Sequence, residues 1–140
     1  MNKKFKKVIE ISYAMAGRKK AVQRCKHFSF IFYKNKLLSI GSNNYKTHPF
    51  NLKFNYVNRQ KNKISSFVGT HSEMKAFLKL RKKNCEGLTL INTRINRNNE
   101  IDYSKPCRGC CDMIKSLNFK EVYFSNKKGS FDFLKMEIHN

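Results

Sequence analysis

The sequence is short of acid. From Ile11 to Ser72 it carries no Asp or Glu, against twelve Lys and Arg. Over the 140 residues the formal net charge is +21. Nothing in that half offsets the positive field, which favours phosphate-bearing partners. A second reading stays open, because Lys greatly outnumbers Arg and both Asn and Ile are common. An A-rich coding sequence produces that bias without any selection for binding. Long apolar runs are also missing, so no segment is long enough to span a bilayer and no membrane partner is expected. The basic opening, Met1-Asn2-Lys3-Lys4-Phe5-Lys6-Lys7, is followed by Val8-Ile9 and at once by Glu10. The apolar stretch of an export signal is absent, and the chain reads as cytosolic. Internal repeats are absent too, and there is no low-complexity segment beyond the Lys/Asn bias. What is left is one domain, residues 1–140, long enough for one core. The five cysteines are Cys25, Cys85, Cys107, Cys110 and Cys111. An odd count, with two of them in a C-x-x-C, argues against a disulfide framework and for metal or free thiols. Cys25 and Cys85 read as core or surface thiols. Cys111 follows Cys110 directly and on a helix points about 100° away from it, so it is expected to pack.

The apolar spacing of Ile9, Ser12, Tyr13, Met15, Ala16 and Val22 predicts a helix over Phe5–Cys25, interrupted near Gly17. His27–Tyr33 predicts a strand, with Phe28, Phe30 and Phe32 on one face and Ile31 and Tyr33 on the other. A turn follows at Lys34-Asn35-Lys36, with Asn35 the residue that tolerates positive φ. Leu37–Ile40 returns as a second strand ending at Gly41, closing an antiparallel hairpin. A helix is expected from His71 to about Lys83, stopped by Asn84 and Gly87. Leu88–Ile95 and Glu121–Ser125 predict strands on either side of a helix that opens at Pro106, the proline taking its first position. Asn126–Gly129 reads as a turn, with Phe131–Ile138 returning as a short last strand. This alternation predicts an α/β fold with parallel neighbours and helices covering the sheet.

From Ser42 to Gly69 no clean periodicity survives. A loop this long in a compact domain is usually functional or mobile. Phe50, Phe54, Tyr56 and Phe67 stand among Lys46, Lys53, Arg59, Lys61 and Lys63. Aromatics between cations suit base stacking with phosphate attraction. They equally suit a loop folded down onto the core.

Two short stretches carry the chemistry: Thr70-His71-Ser72-Glu73 and Pro106-Cys107-Arg108-Gly109-Cys110. Imidazole nitrogen and thiolate sulfur are the donors that Zn²⁺ prefers. Three protein ligands, His71, Cys107 and Cys110, leave a fourth tetrahedral position for water, the layout of a catalytic rather than a structural site. Cysteines at a helix start have lowered pKa and bind metal as thiolates. The i, i+3 spacing sets both sulfurs on one side of the opening turn. Each piece has a plainer reading alone. Thr70-x-x-Glu73 is also a capping box, and a lone C-x-x-C is also a redox pair or half a structural zinc site. The joint pattern is far more specific than its parts.

H-x-E followed by P-C-x-x-C is the signature of zinc deaminases. Here the sequence resembles the cytidine deaminase-like superfamily, over about Ser12 to Phe133. The resemblance implies a three-layer α/β fold, a mixed sheet of about five strands with helices on both faces and two zinc-bearing helices beneath it. It implies that His71, Cys107 and Cys110 bind Zn²⁺ and that Glu73 shuttles protons. Gly41-Ser42-Asn43 looks like the family's Gly-x-Asn, whose Asn contacts the sugar. Asn43 is therefore a candidate substrate residue; Ser72, Ser104 and Pro106 beside the two motifs, and Lys46, Phe54 and Tyr56 from the aromatic-basic loop, are further candidates. Ser72 stands where Ala is usual, the loop of residues 44–69 is long, and the last helix of several branches is cut down or absent. Several branches of the family are oligomers, so a homo-oligomer is an open expectation.

The implied activity is hydrolytic deamination of the cytosine of a nucleoside or nucleotide, of cytidine or deoxycytidylate type. Two rivals stand beside it. One is a deaminase acting on cytosine or adenine within single-stranded DNA or RNA, held through the basic segment of residues 46–63. The other is a zinc-stabilised nucleic-acid-binding module without turnover, against which the intact Glu73 argues.

Overall fold

The computed structural model describes residues 2–18, 26–43, 56–57, 63–64 and 71–135. Helix α1 spans Lys3–Arg18. Val8, Ser12 and Ala16 recur four residues apart and are its buried stripe, as a 3.6-residue period requires. Ser12 donates its hydroxyl to Val8 O at 2.6 Å and meets Thr93 Oγ1 in the adjacent sheet. The expected helix reached Cys25. Residues 19–25 lie outside the described residues, Cys25 among them.

Strands β1 (Lys26–Tyr33) and β2 (Lys36–Ser42) form the expected antiparallel hairpin. The left-handed residue of its turn is Lys34, with φ 52°, rather than Asn35. A two-residue hairpin turn places positive φ at its first central position, which overrides the preference of Asn for that conformation. The register shifts between Ile31 and Phe32, so that Phe32 faces Leu37 while Ile31 faces Ser39.

Short strands β3 (Tyr56–Val57) and β4 (Lys63–Ile64) pair antiparallel in a ribbon apart from the main sheet. Helix α2 follows at Ser72–Leu80. It ends earlier than the expected Lys83 because Arg81 takes a left-handed C-cap, φ 55°. The chain is then drawn to the next layer: Cys85 N–H donates to Leu117 O at 2.7 Å. Strand β5 (Thr89–Ile95), helix α3 (Arg108–Ser116) and strand β6 (Glu121–Ser125) make the strand–helix–strand unit, and β5 and β6 run parallel. Pro106 is not the first helical residue. Cys107 keeps an extended backbone, φ −66° and ψ 170°, and is the N-cap, so the proline lies outside the helix. Strand β7 is short, Phe131–Phe133, and pairing continues one residue on through Leu134 N–H to Val122 O, 2.8 Å. Residues 136–140 lie outside the described residues.

The main sheet has the order β2-β1-β5-β6-β7 and is mixed, with β5/β6 its parallel pair. Alternation along β1 builds two cores. Phe28, Phe30 and Phe32 pack with Ile91, Ile95, Val8 and Ala16 beneath α1. Ile31 packs on the other face with Leu90, Val122, Met74, Phe77, Met113 and Ile114, under α2 and α3. The result is three layers, helix on both faces of five strands. Among the described residues no helix is long and apolar enough to cross a membrane.

Candidate metal centre

Helices α2 and α3 share one face of the sheet, and both start at the same end of β5. Their first residues meet. His71 is the N-cap of α2 and Cys107 the N-cap of α3. Each has an extended backbone, and each carbonyl accepts its helix's first bond, from Lys75 and Cys111 respectively. N-cap side chains normally bond back to the helix. Neither of these does. They turn toward each other instead, and His71 Nδ1 lies 3.5 Å from Cys107 Sγ and 3.4 Å from Cys110 Sγ. The separation of thirty-six positions between His71 and Cys107 is thus closed by the fold.

Gly41 sets the depth at which α2 can sit. A Cβ there would strike the backbone of Ala76 and Ser72, so only glycine lets β2 pass beneath the opening turn of α2.

Electrostatics match the geometry. The thiol of Cys110, together with the neighbouring imidazole, holds Cys107 down at about 5. Cys110 is pushed well up, first by its hydrogen bond to Cys107 and then by burial, with the charge of Glu73 adding to it. His71 is raised by its hydrogen bond to Cys107, against the opposing effect of burial. In the protein alone the pair is therefore one thiolate and one thiol. A tetrahedral zinc with its usual bond lengths to sulfur and nitrogen separates those two donors by about 3.5 Å. The nitrogen–sulfur spacings found are 3.5 and 3.4 Å, so the donor set fits such an ion. All three donor atoms lie within 4.8 Å of one another, and among the described residues no other group of this kind is found.

The other two cysteines among the described residues are outside the donor cluster. Cys111 Sγ is 3.4 Å from Pro106 O and is packed. Cys85 is fully buried, and burial pushes its thiol up to about 12.

Glu73 is buried, 7% exposed, and Oε1 accepts the Ser72 hydroxyl at 2.8 Å. Because His71 is the N-cap, Glu73 is the second helical residue and not the third, and the capping-box reading from Thr70 does not apply; Thr70 itself lies outside the described residues. Asn43 follows β2, and its Oδ1 accepts the His27 N–H at 3.1 Å. Ser104 is 4% exposed. Its hydroxyl donates to Asn92 O at 2.9 Å and accepts from Ser125 N–H at 2.8 Å. Ser104 is thus a strut between β5 and β6, its hydroxyl already engaged. Pro106 is buried before the N-cap. Lys46 and Phe54 lie outside the described residues, and Tyr56 is described only through the backbone of β3.

His27 is a residue that the sequence reading missed. It shares the site face of β1 with Ser29 and Ile31 and stands opposite Arg94 in the register. Burial lowers its pKa, and the charge of Glu73 opposes that shift. The signal in the sequence was the period-two alternation, which puts His27 on the face of Ile31.

No family model matches the sequence, and no curated protein matches it. Solved structures do. The dCMP deaminase of the cyanophage S-TIM5, in apo form, overlays with a TM-score of 0.53 at 17% identity, over 90% of this chain and 86% of that one. The same enzyme in complex with dCMP and dUMP gives a TM-score of 0.52 at 17% identity, over 90% of this chain and 84% of that one. The chain has the cytidine deaminase-like fold. Its His/Cys/Cys cluster at the two helix starts can hold a metal ion.

Proposed function

We propose that this protein is a zinc-dependent hydrolytic deaminase of the cytosine base of a nucleoside or nucleotide, acting as one domain. One observation carries the reading: three metal-type donors meet at two helix starts, with the buried carboxylate of Glu73 close enough to perturb Cys110. His71, Cys107 and Cys110 would hold the zinc ion, whose chemistry there is Lewis-acid activation of a water molecule. Glu73 would take a proton from the attacking water and deliver it to the ring nitrogen beside the amino-bearing carbon. The carbon becomes electrophilic. Water's oxygen bonds to it, Glu73 takes that oxygen's remaining proton and relays it to the amino nitrogen, and the C–N bond breaks to release ammonia. Uracil and ammonia result.

Asn43 is assigned to the sugar. Its side chain is oriented by the His27 backbone, which supports a fixed binding role. A free nucleotide as substrate is supported by the cyanophage enzyme of the same fold, whose structure holds dCMP and dUMP. The net charge of +21 favours a second reading, in which the cytosine or adenine lies within a single strand. The test is zinc content together with ammonia release from cytidine, cytidylates and short oligonucleotides. One zinc per chain and ammonia from a monomer support the first reading. Release from oligonucleotides alone supports the second. Bound zinc with no ammonia from any of them overturns both and leaves a zinc-stabilised binding module.

A further inference from the structure

Three polar residues lie in a row where apolar ones would pack. Ser29 on β1 and Asn92 on β5 are direct register partners in the middle of the sheet. Their side chains face α2, between the Ile31–Leu90 pair and the His27–Arg94 pair. Ser29 is 0% exposed, Asn92 3% and Ser72, the first residue of α2, 2%. Burying such groups is unfavourable unless each finds a partner. Here the partners form one line. Asn92 Oδ1 is 2.6 Å from Ser29 Oγ, Ser29 Oγ is 2.8 Å from Ser72 Oγ, and Ser72 Oγ donates to Glu73 Oε1 at 2.8 Å.

The hydrogens give the line a direction. A hydroxyl donates once, and Ser29 has two acceptors in reach. Ser72 spends its hydrogen on the carboxylate. In the orientation found, Ser29 donates to Asn92 Oδ1; all three contacts carry a hydrogen at once when the Asn92 amide turns its nitrogen to Ser29, an exchange of two nearly equivalent atoms. The donors then run Asn92, Ser29, Ser72 and end on Glu73. The far end is anchored as well, because the Asn92 carbonyl accepts the Ser104 hydroxyl, which is tied to β6.

We infer that Asn92, Ser29 and Ser72 are positioning residues: a buried hydrogen-bonded line that runs from the central strands to Glu73 and fixes where its carboxylate points. The inference rests on the reading of Glu73 as the proton-transfer group. A carboxylate on a flexible stem turns freely unless its rotamer is locked, and catalytic groups have to be held within about 0.5 Å. The line starts from β1 and β5, paired over seven residues at the centre of the sheet. Packing alone does not ask for a hydroxyl at position 72, where alanine would fill the same space.

The test uses the zinc-loaded protein. Ser72→Ala is expected to lower kcat about tenfold to a hundredfold, the cost of a misplaced reacting group, with KM and zinc content unchanged. Ser72→Thr, which keeps the hydroxyl, recovers part of that loss. Asn92→Asp, which removes the donor at nearly constant volume, lowers kcat in the same sense. In a Glu73→Ala background, Ser72→Ala makes no further difference. An unchanged kcat in Ser72→Ala overturns the inference, and so does an equal fall in the Glu73→Ala background. Zinc lost in proportion to activity also overturns it, because Ser72 would then serve the helix start. If Ser72→Ala does not fold, Ser29→Ala breaks the same line one step further from the helix and is read in the same way. If the unmodified protein deaminates nothing, the deaminase reading fails by itself. Crystal structures of the unmodified protein and Ser72→Ala still decide the positioning role. A Glu73 carboxylate turned away from its place supports it, and an unmoved one refutes it.

Discussion

His71 and Cys107 occupy the same position in two different helices. Each is the N-cap, each has an extended backbone, and each leaves its own helix end without a side-chain cap. Their side chains approach to 3.5 Å. Two helices give up a stabilising contact of about 1 kcal/mol each at these ends. Capping preferences explain neither residue, whereas binding of a shared third group explains both.

Glu73→Ala should keep the fold and the metal but lose turnover by roughly 10²–10⁴, the contribution of a general acid/base. Glu73 is not the capping residue of α2, and its carboxylate bonds to Ser72. The melting temperature should therefore fall only slightly. Rate, zinc content and melting temperature measured on one preparation check this, and full activity would remove the proton-transfer role.

Cys107→Ala and Cys110→Ala should each lose the metal, while Cys111→Ala and Cys85→Ala keep it. The first pair lies in the donor cluster; Cys111 faces Pro106 O, and Cys85 is in the core. Metal analysis of the purified variants is the measurement. Metal lost from Cys111→Ala would mean four protein ligands and a closed structural site.

The two sulfurs should also differ in their response to pH. Cys107 lies at about 5 against an ordinary 9.0, so the folded state favours its thiolate. That contribution is full above the ordinary value and is lost as pH falls through about 5. In metal-stripped protein, iodoacetamide should modify Cys107 at a nearly constant rate between about pH 6 and 8, where an ordinary thiol speeds up about tenfold per unit. Cys85, at about 12, should not react in that range. Cys110 is raised, so it supplies a proton that metal binding must release, and affinity should rise with pH. A Cys107 rate that climbs with pH like that of an ordinary thiol would contradict the thiolate–thiol pair.

Much of this was legible because it is local. Phe28, Phe30 and Phe32 alternate with Ile31, and alternation alone assigns their faces. The two motifs, with a strand between them, sufficed to name the three side chains that the fold gathers into one cluster. Helix starts were legible only to within a residue. Whether Pro106 or Arg108 begins α3 depends on the backbone of Cys107. That backbone is extended where the side chain turns to His71, a contact of long range. Ser29 and Asn92 were illegible for a related reason. Each is an ordinary polar residue in its own strand, and only the β1–β5 register brings them together beneath Ser72. His27 is hidden in the same way, since its nearness to Glu73 comes from the packing of α2 on β1. Lys46, Phe54 and the basic segment of residues 46–63 remain a reading of the sequence.

That segment carries the last prediction. If the substrate is a polynucleotide, Lys46, Lys53, Arg59, Lys61 and Lys63 lie along its backbone, and each neutralised phosphate steepens the salt dependence of binding. Replacing Lys53, Arg59 and Lys61 together with Gln should then weaken oligonucleotide binding and flatten its salt slope by a few units. Phe54→Ala or Tyr56→Ala should cost about 1–3 kcal/mol if a base stacks there. A mononucleotide offers a single phosphate, which engages one or two cations. The triple variant should then leave the salt slope nearly unchanged and keep its turnover of free nucleotide, apart from a rise in KM if one of the three holds that phosphate. Binding and turnover are measured against salt, for a short single strand and a monomer side by side. A flat slope with the single strand in the unmodified protein means that the +21 charge is composition and not an interface. The substrate is then the free nucleotide.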